Sequence, residues 1–254
     1  MDDSGASSLK LESIRESLIR QEDTIIFSLI ERSKFPINSR GYDESLGLVQ
    51  GFSGSLARFI IEETEALQAK AGRFQNPEEH QFFPENLPPS LVPPHDYPKV
   101  LYPAAASINI NKRIWDLYFN ELLPLFTVVG DDGNYASAVA SDLSCLQALS
   151  RRIHYGKFVA EVKFRDAQQD YEPAIRTKDR DALMKLLTFE NVEEMVKKRV
   201  QKKALAFGQE VSLNHNDKKV KCKVDPYVVS RLYEEWIMPL TKLVQVEYLL
   251  HRLD

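Results

Sequence analysis

The sequence predicts an all-α protein, on three observations. Long segments repeat apolar residues at i, i+3, i+4 and i+7, the spacing of one helix face. No segment shows the clear alternation of a half-buried strand. The periodic segments together take in roughly two-thirds of the residues, against about a third in an average globular protein.

The first helix is expected over about 9–35, with Leu11, Ile14, Leu18, Ile25 and Leu29 on one stripe and Pro36 as its stop. A Gly/Ser/Asn-rich connection leads to a second, about 55–73, carrying Leu56, Phe59, Ile60 and Leu67. FFPENLPPSLVPPHDYPKVLYP follows, with seven prolines between Phe82 and Pro103. Each proline removes a donor and pushes its predecessor toward extended geometry. Phe82, Phe83, Leu91, Val92 and Tyr97 give this segment something to bury, so an ordered loop is expected. Helical spacing returns over about 109–126 and ends at the turn residues of VVGDDGNY. The longest helix is expected over about 136–166, then shorter ones over 171–176 and 180–187. Another, over 191–207, opens with NVEE in capping-box form. The last, over 226–254, contains Pro239 as an interruption or kink. No repeat or linker divides the chain, which reads as one large helical domain over 1–254, with 1–8 disordered and 208–224 a mobile loop.

Composition excludes several classes. Lys+Arg 33 against Asp+Glu 37 gives a net charge of -4, so no global positive field draws nucleic acid or an anionic membrane surface. No run of 18 apolar residues exists to span a bilayer. Cys145 and Cys222 make neither a disulfide framework nor a metal site, as expected in a reducing compartment. The acidic MDDSGASSLKLE lacks a secretory or transit-peptide pattern, which points to the cytosol. The five histidines show no metal-binding spacing, and neither a nucleophile elbow nor a phosphate-binding loop occurs. An enzyme with this sequence works by positioning and fixed charge.

LSRRIHYGKFVAEVKF, Leu149 to Phe164, sets four cations in one helix. At about 100° per residue, Arg152 and Lys163 differ by only about 20° around the axis and lie about 16 Å apart along it. They share a face with Cys145, Leu149, Gly156, Val159 and Ala160. Lys157, His154 and Glu161 project to the opposite side, where Lys157 and Glu161 read as an exposed i, i+4 pair and Arg151 as a flank residue. Two cations on an apolar stripe are costly to desolvate unless something negative meets them: a core carboxylate, or a ligand. Gly156 between them marks either a helix crossing or a pocket floor. Arg15 lies beside the apolar stripe of the first helix, and Thr241 and Gln245 stand one turn apart in the last. Glu193, in a first helical turn, reads first as an acid favoured by the helix dipole.

Several blocks in a fixed order carry a family resemblance: IRESLIRQEDTIIFSLIERSKF, GRFQNPEEHQFF, GDDGNY, LSRRIHYGKFVAEVKF and IMPLTKLVQVEYLLHRLD. The chain resembles, over almost its whole length, the eukaryotic all-helical chorismate mutases, most of all the plant cytosolic form. The resemblance implies a helix-packed homodimer and a cofactor-free, metal-free Claisen-type rearrangement of chorismate to prephenate. It implies that Arg15 and Arg152 clamp the two carboxylates and that Lys163 and Gln245 donate to the ether oxygen. Glu193 would accept from the ring hydroxyl and Thr241 would line the site. Fungal members carry Glu at the position of Gln245 and Asn at that of Phe189. The effector positions of regulated members correspond to Arg73, Asn134, Ala136 and Ser137. Ala136 replaces a glycine there and Gly72 a cation, so weak or absent feedback is expected. Against this stand a helical interaction protein that has lost activity, and a binder of small aromatic acids that turns nothing over.

Overall fold

The structure is a computed structural model, describing residues 10–210 and 222–254. The expectation of disorder over 1–8, and all of 208–224 except its two ends, lies outside the described residues. Those ends are joined: Gly208 accepts from the Lys223 amide at 2.9 Å beside an isolated Gln209–Cys222 bridge. The fold is all-α, with 69% of the described residues helical.

Helix α1 (Leu11–Arg32) and α2 (Leu56–Lys70) pack along α5 (Tyr135–His154). Between them in sequence come α3 (Asn111–Leu117) and α4 (Leu123–Phe126). The long predicted helix is divided at Tyr155 and continues as α6 (Gly156–Asp166). The short α7 (Gln168–Arg176) and α8 (Arg180–Leu187) lead to α9 (Glu190–Gly208). There α10 (Pro226–Leu232) packs on α9, and α11 (Met238–Leu250) lies along α6. Ile25, Ile26 and Leu29 of α1 meet Leu146, Leu149 and Ile153 of α5 and Val244 and Leu249 of α11 in one core.

Two prolines are absorbed without breaking their helices. A π-helical turn, Tyr118–Leu122, precedes Pro124, and a second, Tyr233–Ile237, precedes Pro239. A proline within a helix lacks a donor and crowds the carbonyl four residues back; widening the preceding turn relieves both problems. Pro239 therefore sits in the first turn of α11 and does not interrupt the path of the chain.

Three expectations need correcting. The NVEE capping box does not form: α9 starts at Glu190 after an uncapped Phe189. Glu193 instead reaches across to Lys242, 2.9 Å away on α11. In the Pro-rich segment Phe82 is buried, but Leu91 and Val92 are 77% and 43% exposed, so the segment is anchored at its two ends, by Phe82 and by Leu101 and Tyr102, and not through its middle. Largest is the change at Lys157, His154 and Glu161, all of which are buried.

The cause is that α6 has no solvent face before Arg165. The return of the chain through His80 and Ala105 covers its far side, where Lys157 Nζ donates to the Ala105 carbonyl at 3.1 Å and to His80 Nε2 at 2.5 Å. His80 stacks flat on His154, centroids 4.0 Å apart. His154 Nε2 accepts from the Ile110 amide, which leaves its Nδ1 to donate to the Ser150 carbonyl at 2.8 Å. Burial pushes Lys157 down to about 8 and His154 down to about 3, so the imidazole stays neutral. Glu161 accepts from Tyr248 at 2.5 Å, from Arg252 at 2.7 Å and from Arg165 at 2.6 Å. A projection finds which residues share a face; that both faces are covered depends on contacts some 50 and 90 positions away.

A second buried polar centre ties α1 to α5. Arg32 Nε donates to Asp142 at 2.5 Å with neither side chain exposed, and the Tyr42 and Tyr118 hydroxyls donate to the same carboxylate at 2.6 and 2.8 Å. The rest of the Arg32 fork donates to the carbonyls of Phe35, Pro36 and Ile37, which fixes the chain as it leaves α1.

Candidate active site

The face predicted to carry Arg152 and Lys163 opens on a cleft of about 140 Å³ between α6, α9 and α11. Arg152, Lys163, Glu193, Thr241 and Gln245 all line it, with Lys242, Val159, Val192 and Phe189. Arg15 is not among its walls: it is exposed on α1, near enough to Lys163 for its charge to be felt there.

The two cations have no carboxylate partner among the described residues. Arg152 is 5% exposed; its Nη1 donates to Thr241 Oγ1 at 3.2 Å and its Nε has no partner. Burial lowers its pKa, because desolvation penalises the charge and nothing negative compensates it at contact distance. The carboxylate on this side, Glu22, is occupied by Arg199 at 2.6 Å and Lys203 at 3.2 Å. The Tyr233 hydroxyl, wholly buried in the π turn, also lacks a partner, and the Arg152 charge acts to lower its otherwise raised pKa. Lys163 is pushed down to about 8, first by burial and then by the charges of Arg15 and Lys242, with Glu193 opposing. Its ammonium rests 4.4 Å over the ring of Phe189.

Gly156 is where α6 crosses α11. A Cβ there would lie 2.7 Å from the Thr241 carbonyl oxygen and 3.4 Å from Gln245 Cγ. Its backbone is ordinary helix, so the glycine serves close approach, not an unusual conformation. Gly156→Ala should drive α11 away from α6, shift Thr241 and Gln245 together, and cost about 1–3 kcal/mol of stability as an overpacked contact. Urea unfolding checks it: an unchanged midpoint would mean that the crossing yields at no cost.

Gln245 completes the cleft. Its Nε2 makes a long contact of 3.4 Å to the Thr241 carbonyl and its Oε1, buried, has no partner. Lys242 and Tyr233 were not singled out from sequence. Lys242 carried a usable signal, since it precedes Gln245 by one helical turn; Tyr233 carried none, being one of ten tyrosines.

Of the residues assigned by resemblance to effector binding, Arg73 is engaged by Glu79 at 2.9 Å, and Asn134 precedes the first turn of α5. Ala136 and Ser137 are exposed on that turn. No hydrogen bond or ion pair joins Arg73 to them among the described residues.

An all-helical fold whose cleft holds an uncompensated guanidinium, an ammonium and a carboxamide belongs to the class of proteins with a site suited to a small anionic molecule and to chemistry by fixed charge. Residues 134–246 match the family model of type II chorismate mutases. Chorismate mutase 2 of Arabidopsis thaliana is 68% identical over 255 residues, covering 99% of this chain and 96% of that one. The cytosolic chorismate mutase 2 of Zea mays is 54% identical, with 100% of both chains covered. The crystal structure of the Candida albicans chorismate mutase in complex with L-tryptophan superposes with a TM-score of 0.91 at 38% identity, over 96% of this chain and 92% of that one. The chain belongs to the chorismate mutase family.

Proposed function

We propose that the cleft between α6, α9 and α11 is where this chain rearranges chorismate to prephenate. The observation that carries the reading is Arg152: a buried guanidinium with an orphaned Nε and no carboxylate partner among the described residues. Such a charge is costly to bury, and a substrate carboxylate is what repays it. Arg152 holds one carboxylate of chorismate, and Arg15, swinging in from α1, holds the other.

The reaction breaks the ether C–O bond as a new C–C bond forms within the same molecule, so negative charge grows on the ether oxygen. Lys163 and Gln245 donate to that oxygen and stabilise it more in the transition state than in the ground state. Glu193 accepts from the ring hydroxyl, held in place by Lys242, and Thr241 steadies the Arg152 fork. Confining the substrate to a near-attack conformer supplies the rest. An absorbance assay of chorismate loss, with prephenate identified as product, tests the reading; tight binding without turnover would refute it.

Gln245 bears on pH. A carboxamide donates at every physiological pH, whereas a carboxyl group donates only when protonated. Activity should be flat from mildly acidic to neutral pH and fall on the alkaline side as Lys163 loses its proton near 8. In Gln245→Glu the rate should fall as pH rises through the new carboxyl's pKa. A variant profile that superimposes on the parent's would refute the donor role.

The homodimer and the cytosolic location belong to the same proposal. The full-length match to the cytosolic Zea mays enzyme supports the location. The L-tryptophan complex of the Candida albicans relative makes feedback worth assaying. The family resemblance implies that Ala136 stands where regulated members carry glycine, so tryptophan should change the steady-state rate little.

A further inference from the structure

Phe189 is the aromatic residue at the rim of the cleft. It is 50% exposed and precedes α9 without capping it. What it touches is Lys163, whose Nζ lies 4.4 Å from the ring centroid.

The other charges around that ammonium are all committed elsewhere or repulsive. Glu193, from α9, pairs with Lys242 of α11 at 2.9 Å and only opposes the burial of Lys163 at a distance. Arg15, from α1, and Lys242 act against the ammonium. Arg152, on α5, adds a further cation to the same walls. The ring is thus the direct contact that favours a protonated Lys163 in the absence of substrate, with Glu193 adding to it from farther off. The face of an aromatic ring carries negative quadrupole density and attracts a cation most where water is partly excluded. The cleft itself, at about 140 Å³, is smaller than the usual range of about 300–1,000 Å³ for ligand pockets. Phe189, half exposed at the start of α9, stands where an arriving anion would pass.

We propose that Phe189 is a positioning residue for Lys163: its ring is the seat on which the ammonium waits across the mouth of the cleft, and from which an arriving substrate anion takes it over. This rests on the reading of Lys163 as the donor to the ether oxygen. The seat keeps the ammonium charged and aimed before binding. Substrate then replaces the ring's weak attraction with a full negative charge, and Phe189 becomes free to close over the bound molecule.

The test is the pH profile of kcat/KM for Phe189→Leu, Phe189→Tyr and Lys163→Ala, with circular dichroism to verify folding. Leu keeps apolar bulk and loses the quadrupole. Its alkaline limb should move about 0.4–1.5 pH units lower, since removing a stabiliser of the charged form lowers the pKa. Tyr keeps the ring and should hold the parental limb. A Phe189→Leu profile superimposable on the parent's, with Lys163→Ala inactive, would overturn the seat and leave the site reading intact. Lys163→Ala with near-parental turnover would instead overturn the site reading and the seat with it. A Tyr variant shifted as far as Leu would also overturn the seat, because it would show that bulk and not the π-face is what Lys163 feels.

Discussion

Lys163→Ala should lose about 10²–10³ in kcat while remaining folded. The size follows from removing one preorganised donor to developing charge, about 2.7–4 kcal/mol in comparable sites. Folding should survive because Lys163 makes no ion pair among the described residues, so no partner is left stranded; its loss removes a buried-charge penalty along with a cation–π contact. The fall should appear in kcat, since Arg152 still holds the substrate. Steady-state kinetics beside a thermal melt reads both quantities. A variant with near-normal kcat would mean that charge on the ether oxygen is met by another group. A variant with normal kcat but a raised KM would place Lys163 in binding alone.

Asp142→Asn should be the most damaging change to stability, costing about 3–5 kcal/mol of the 5–15 kcal/mol typical of a folded domain. Asn is nearly the same shape, so the loss is electrostatic: Arg32 keeps its charge, with no exposure and no counter-ion. Burial alone would lower the Arg32 pKa, and it is Asp142, with Tyr42 and Tyr118, that brings it above the ordinary value. Removing both members, as Arg32→Met with Asp142→Leu, should recover much of the loss, because an apolar pair has no desolvation to compensate. Urea unfolding of the two single variants and the double gives the coupling between them. If Asp142→Asn unfolds within about 1 kcal/mol of the parent, then water reaches Arg32 and the centre is not sealed.

Periodicity was enough to read the helical segments and their order, though not the break at Tyr155 or the two π turns, because burial of one stripe is a local demand on sequence. It also put Arg152 and Lys163 on one face, and they do line one cleft. It did not tell whether core acids met them. That depended on Glu22 and Glu193 being taken by Arg199 and Lys242, pairs that join residues 177 and 49 positions apart. The same limit explains Lys157. Nothing within a helical turn of it signals that His80 and Ala105 will fold across it. Gly156 was legible as an anomaly, and its reason became legible only when Thr241 stood opposite.

The enclosure of α6 bears on how this sequence can vary. From Arg152 to Val162 every residue is buried, and the charged ones are as deeply set as the apolar ones. An ordinary surface helix has a permissive side on which substitutions drift freely. This one has none before Arg165, so a saturation library across it should return almost no viable changes, with Lys157 and Glu161 as intolerant as the residues that face the cleft. A comparative reader who took such intolerance as a mark of catalysis would assign Lys157 to the chemistry, when its constraint comes from the chain folded over its back.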